Sequence, residues 1–231
     1  MSRRTQVQAV VFDAYGTLLD VHSAVARHAA RLGAAAGPVS ALWRAKQLEA
    51  SWILSATGAY ENFAVLTERA LDHALAVHDA QDATLRADLL RAYRALAAYP
   101  DAMPALAALR GAGVPAAILS NGEPAMLREA VASAGLDGLL EAVLSVHPLR
   151  RYKPEPAVYA LATEQFGCDP GEIAFVSANG WDAFGAARFG FRAVWVNRAG
   201  GPVEYGLDRL GTIIPSLDAL PGLLAPASMR G

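Results

Sequence analysis

A single cysteine, Cys168, occurs among 231 residues, which excludes an internal disulfide and suits a reducing compartment. Neither sign of charge prevails: 20 basic and 22 acidic residues are mixed along the chain, for a formal net charge of −2. No long-range field is therefore available to recruit nucleic acid or an anionic membrane. Long apolar runs are missing too. The run that follows the basic start Met1-Ser2-Arg3-Arg4 covers only residues 7–12 and contains Gln8, too short for a signal-peptide core or a membrane span. The five histidines have no metal-ligand spacing and read as surface residues or as part of the helical stretch described below. Neither an internal repeat nor a low-complexity linker is present. The expectation is a soluble cytoplasmic globule, long enough for one large domain or for a domain carrying an inserted second one.

The organising stretch is Val10-Val11-Phe12-Asp13-Ala14-Tyr15-Gly16-Thr17-Leu18-Leu19-Asp20. Residues 7–12 form a β-branched and aromatic run that predicts a buried strand. It ends on Asp13, after which Gly16 marks a turn and Thr17 can return its hydroxyl towards the acid. An acid at the C-terminal end of a buried parallel strand lies where open α/β sheets bind ligands, although such acids also serve as helix caps. The composition then changes. Residues 22–98 are rich in Ala and Leu with charges at helical intervals, and breaks at Gly33, Gly37-Pro38, Thr57-Gly58 and residues 79–82 divide them into about four helices. No strand is expected there.

From Tyr99-Pro100-Asp101 onwards, short apolar runs alternate with helical patterns. Strands are predicted at residues 116–120, 139–144, 173–176, 193–196 and 212–214, and helices at 124–134, 155–166 and 181–189. Alternation of this kind predicts an α/β fold, a Rossmann-like doubly wound parallel sheet with right-handed crossovers. The helical block, inserted straight after the first strand, should form a cap. Residues 1–19 and 99–231 are the expected core domain and residues 20–98 the expected cap domain, with Asp20 at the hinge. Residues 225–231 are expected to fray.

Small polar or charged groups collect in the loops that end the strands: Asp13 to Thr17, Ser120-Asn121-Gly122, Lys153-Pro154 and Ser177-Ala178-Asn179-Gly180-Trp181-Asp182. Taken singly, each has a plain alternative. Ser120 and Asn121 suit a helix cap, Lys153 a solvated surface, and Asp182 the first turn of a helix, where an acid favours the dipole. In a doubly wound sheet, however, such loops converge on one crevice. The order nucleophile, Ser/Asn, Lys, acid resembles the motifs of the haloacid dehalogenase superfamily over nearly the whole chain. The string from Asp13 to Leu18 is similar in particular to its L-2-haloacid dehalogenase branch.

Two departures from the superfamily's phosphatases bear on the chemistry. Those enzymes resemble one another in having a second Asp two residues after the nucleophile, which protonates the leaving alcohol. Tyr15 stands there and is no acid–base group at neutral pH. They also hold Mg²⁺ on paired late acids, whereas Ala178 takes the place of the earlier acid and only Asp182 remains. A hard dication favours several oxygen ligands. A departing halide needs no proton, only positive charge or donors away from water.

The resemblance implies a hydrolase that removes halide from small halogenated carboxylic acids, without metal or organic cofactor and as a homodimer through the cap helices. Asp13 is the implied nucleophile, with Thr17 and Ser177 holding its carboxylate and Lys153 keeping it charged and aimed. Ser120, with backbone N–H groups near Tyr15 and Asn121, would take the substrate carboxylate. Arg44, in Leu42-Trp43-Arg44-Ala45-Lys46-Gln47-Leu48-Glu49, and Asn121 would receive the halide. Asp182 and Asn179 would position the hydrolytic water, and Tyr159 would orient the Lys or the acid. Trp181 would wall the halide site or pack beside it, and Phe63 and Trp52 would line the pocket or the cap core. The plain alternative for Arg44 is a surface ion pair with Glu49. Small residues at Ala45 and Ala50 suggest a reshaped pocket. Two other functions fit the same fold, a Mg²⁺-dependent small-molecule phosphatase and a non-catalytic binder of small acids.

Overall fold

A computed structural model of the chain describes residues 7–224; the basic start and the expected frayed end lie outside them. Six parallel strands form the central sheet. They are β1 (Ala9–Phe12), β4 (Ala116–Ser120), β5 (Ala142–Ser145), β6 (Ile173–Ser177), β7 (Arg192–Val196) and β8 (Thr212–Ile214), in the spatial order β5-β4-β1-β6-β7-β8. Val10 of β1 stands opposite Ala116 on one side and Ala174 on the other. Every residue of β1, β4 and β6 is buried, as expected where helices cover both faces of a parallel sheet. Apolar continuity of these runs, not alternation, is what the sequence carries.

The remaining strands, β2 (Leu19–Asp20) and β3 (Ala97–Ala98), pair antiparallel with each other. Between them lie only helices: α1 (Ser23–Ala26), α2 (Ala29–Leu32), α3 (Ala36–Ala56), α4 (Phe63–Val77) and α5 (Ala83–Tyr93). Trp43 of α3 donates from its indole N–H to the Thr67 carbonyl of α4 at 2.8 Å, and the side chains of Asn62 and Asp82 cap the starts of α4 and α5. After β3 come α6 (Ala102–Gly111), α7 (Pro124–Ser133), α8 (Pro156–Phe166), α9 (Gly180–Phe189), α10 (Leu207–Leu210) and α11 (Leu220–Leu224). Helix α8 packs on β4 and β5, and α9 on β6 and β7. No helix of the described residues is long and apolar enough to cross a membrane.

Three local expectations need correction. The break expected at Gly37-Pro38 does not occur, because Pro38 falls in the first turn of α3, where its missing N–H has no intrahelical partner to lose. The stretch expected to lack strands contains Ala97–Ala98, a pair of alanines that is extended only because Leu19 and Asp20 face it. The strand expected at residues 139–144 begins at Ala142, since residues up to Leu139 are wound into a 3₁₀ turn. Its register starts where Ala142 meets Ala117.

Candidate active site

Adjacent strands β4, β1 and β6 all point the same way, so the residues that follow them emerge at one edge of the sheet. The chain runs from β1 to β4 and β5 on one side and returns to β6, β7 and β8 on the other, which makes this edge a topological switch point. Asp13 follows β1 directly and its N–H bonds the Val176 carbonyl at 2.9 Å. Gly16, at φ +92°, takes a left-handed turn that favours glycine and brings Thr17 back over the acid.

Asp13 is buried and receives one charged and two neutral side-chain donors. Lys153 donates from Nζ to Oδ1 at 3.1 Å. Thr17 donates from Oγ1 to Oδ2 at 3.1 Å and itself accepts the Ala178 N–H at 2.9 Å. Asn179 donates from Nδ2 to Oδ2 at 2.8 Å, and from the same nitrogen to the Tyr15 carbonyl at 3.1 Å. Ser177 departs from its expected role: its hydroxyl accepts the Asn179 N–H at 3.1 Å rather than holding the carboxylate. It shapes the turn from which Asn179 reaches Asp13.

Lys153 is also buried, and its Nζ lies 2.9 Å from Oδ2 of Asp182. Tyr159 donates its hydroxyl to the other oxygen of Asp182 at 2.8 Å. One ammonium thus bridges two buried carboxylates. Burial pushes the Asp182 carboxyl up to about 6, against the opposing pull of Lys153. Burial likewise lifts the Tyr15 and Tyr159 phenols well above their ordinary value, so both stay protonated at neutral pH and Tyr159 remains a donor.

Arg44 reaches in from α3. Its Nη2 donates to the Tyr15 carbonyl at 3.1 Å, and Nη1 to Oε1 of Gln47 at 2.9 Å. The surface pair with Glu49 does not form, because Glu49 is taken by Lys46 at 2.9 Å. Ser120 is fully buried and accepts the Gly122 N–H at 3.1 Å. Asn121 accepts the Lys153 N–H at 2.9 Å through Oδ1, which leaves its amide NH₂ uncommitted. Trp181 is half-buried and meets exposed Trp52 of α3 edge-on, with ring centroids 5.4 Å apart. Phe63 is buried between Tyr15 and Tyr152, so it is a wall of the motif turn. Of the histidines, His147 sits at the contact between helical block and core, where its Nδ1 is 2.7 Å from the Tyr60 hydroxyl.

The donor set fits a metal poorly. Asp13 and Asp182 are the nearby carboxylates, and the space between them holds the Lys153 ammonium. A dication placed there would face that charge at hydrogen-bonding distance. Among the described residues, no group of three or more His, Cys, Asp and Glu is arranged to hold an ion.

The profile of one family, the haloacid dehalogenase-like hydrolases, matches residues 7–190. This chain belongs to that family. All of the strand-end residues above, Asp13 through Asp182, fall inside the matched span. The chain is 46% identical over 220 residues to (S)-2-haloacid dehalogenase 4A of Burkholderia cepacia, covering 95% of each. A solved dehalogenase with an intermediate complex superposes with a TM-score of 0.93 at 45% identity, over 96% of this chain and 99% of that one. The L-2-haloacid dehalogenase of Xanthobacter autotrophicus with chloropropionic acid covalently bound superposes with a TM-score of 0.83 at 37% identity, over 95% and 98%.

Two contributors to this hydrolase site escape sequence reasoning. Gln47, three residues after Arg44 and so on the same face of α3, is fully buried. A polar residue at that spacing is the only hint in the sequence. Gly185 of α9 is the other. A Cβ there would overlap the Tyr159 hydroxyl and come within 2.7 Å of Pro154, so the glycine lets Tyr159 reach Asp182.

Proposed function

We propose that the protein hydrolyses short L-2-haloalkanoic acids to D-2-hydroxy acids through an ester on Asp13, without metal or organic cofactor. The observation that carries this reading is the Asp13 carboxylate at the switch point, held by Lys153, Thr17 and Asn179 beside a buried neutral Tyr15 in place of a second acid. The names of the relatives as (S)-2-haloacid dehalogenases support the substrate class.

An Asp13 oxygen attacks the α-carbon opposite the halogen. The new C–O bond forms as the carbon–halogen bond breaks, and the halide departs with the bonding pair, so the α-carbon inverts. Ser120 and the backbone N–H groups of the Tyr15 and Asn121 turns bind the substrate carboxylate. Arg44 and the Asn121 amide stabilise the departing halide, with Trp181 at the wall. Water, held by Asn179 and Asp182, then adds to the ester carbonyl of Asp13 and loses a proton to the Asp182 carboxylate. Collapse of the tetrahedral intermediate expels the hydroxy acid oxygen, which takes up that proton. Residues 20–98 act as a cap domain over a core of residues 1–19 and 99–231. The enzyme works in the cytoplasm, whose reducing conditions suit its single Cys168, and as a homodimer in which the exposed Ile53 of α3 and Val77 of α4 would be covered.

Halide release from L-2-chloropropionate after exhaustive chelation tests the function. Full activity with D-lactate as product is expected. Activity lost on chelation and restored by Mg²⁺ would favour the phosphatase; binding of the acid with no halide released would favour the non-catalytic binder.

The second step requires ionised Asp182, so turnover should decline as pH falls through its raised pKa of about 6. Gly185→Ala is expected to push the Tyr159 hydroxyl off Asp182 and remove a donor that favours the charged form. The acidic limb of kcat then moves to higher pH, and overpacking costs about 1–3 kcal/mol of stability. A pH profile and a thermal melt of the variant check both; an unmoved limb would detach Tyr159 from the water-handling step.

A further inference from the structure

The guanidinium of Arg44 is bonded only by neutral oxygens. Nη2 meets the Tyr15 carbonyl and Nη1 the amide oxygen of Gln47, while the neighbouring carboxylate Glu49 is bound to Lys46. The orientation of the Gln47 amide is dictated by what surrounds it. Thr67 donates its hydroxyl proton to the Phe63 carbonyl at 2.8 Å, so towards Gln47 it can only accept, and it receives Nε2 at 2.7 Å. The amide oxygen must then face the other way, where two donors converge on it, Arg44 and the Tyr93 hydroxyl at 3.1 Å. A flipped amide would put its NH₂ against both of those donors. Tyr93 in turn stacks on the Tyr15 ring at 5.6 Å, which links α5, α3 and the nucleophile turn.

We propose that Gln47 is a positioning residue that aims Arg44 at the halide while leaving its positive charge unneutralised. The inference rests on the proposed role of Arg44 in receiving halide. The neutrality of residue 47 is the operative property. A carboxylate of the same shape would keep the guanidinium in place and form a buried ion pair with it, cancelling the field offered to the leaving anion. A side chain chosen only to fill the helix interface would show no such sensitivity to charge.

The test compares Gln47→Glu, Arg44→Lys and Glu49→Gln in the full-length enzyme. Arg44→Lys should slow the first step on the order of 100-fold, since ammonium is a point charge without the forked donors. Gln47→Glu should lower kcat roughly 10-fold or more with little change in KM and raise the inhibition constant for bromide; the Thr67 hydroxyl must turn its proton from the Phe63 carbonyl to the new carboxylate, so the thermal midpoint should fall only slightly. Chloropropionate should suffer more than bromopropionate, because chloride is the poorer leaving group and depends more on stabilisation. Glu49→Gln should match wild type. If Arg44→Lys is impaired while Gln47→Glu keeps wild-type kcat and bromide inhibition, the role of Gln47 is overturned and that of Arg44 stands. If Arg44→Lys turns over normally, the halide role of Arg44 falls first, and the inference falls with it.

Discussion

After a single turnover in water enriched in heavy oxygen, with enzyme in excess, the label is expected in the peptide carrying Asp13 and absent from the hydroxy acid. The reason lies in which bonds form. Asp13 is an anchored carboxylate, with Lys153 on one oxygen and Thr17 and Asn179 on the other. Three donors fix its direction without consuming all of its lone pairs. In the proposed mechanism, attack by that carboxylate transfers an enzyme oxygen to the α-carbon, and solvent oxygen enters only when water opens the ester at the Asp13 carbonyl. Later turnovers carry the acquired label into product. Asp13→Asn removes the proposed nucleophile, and loss of an essential covalent group costs on the order of 10⁶-fold in kcat. Mass analysis of the digested peptide decides the matter. Label found first in the hydroxy acid would mean that water attacks the substrate directly and that Asp13 is at most its base.

Lys153→Met is expected to damage activity and stability together. The methionine replaces the stem but leaves Asp13 and Asp182 buried without their shared ammonium, which lies 3.1 Å and 2.9 Å from them. Breaking a buried ion pair by removing one partner costs about 3–5 kcal/mol, equivalent to roughly 10 °C in a domain of this size. The sign of the pH dependence follows from Asp182. Its folded pKa is raised by burial, so its contribution to stability is present below the unfolded value and lost as pH rises through the folded one. In the variant the cation that opposed this shift is gone. The deficit relative to wild type should therefore be largest at alkaline pH and shrink as pH falls towards about 6, because Asp182 of the variant takes up its proton before that of the wild type. Turnover should fall on the order of 100-fold or more, because the nucleophile loses a charged partner. A melting series across pH with parallel halide assays measures both; an unchanged midpoint at alkaline pH would mean that the site is hydrated enough not to need the lysine.

Much of this arrangement is legible in the sequence because it is local or periodic. The apolar run into Asp13, the glycine turn at Gly16 and the alternation of strands with helices each follow from the chemistry of a few neighbouring residues. So does the order Asp13, Ser120-Asn121, Lys153, Asp182, since parallel strands deliver their following loops to one edge whatever the intervening packing. Tyr15 and Ala178 weigh against a metal phosphatase from their identity alone. Tertiary structure decided the rest. Only the fold shows that Lys153 lies between both acids, that Asn179 rather than Ser177 holds Asp13, and that Lys46 has claimed Glu49 and left Arg44 to Gln47. Strand Ala97–Ala98 exists because Leu19–Asp20 lies beside it, and Gly185 matters because a tyrosine from another helix passes over it. These contacts join residues far apart in the chain, and a side chain's choice among partners depends on which distant segments reach it, a competition that no local pattern encodes.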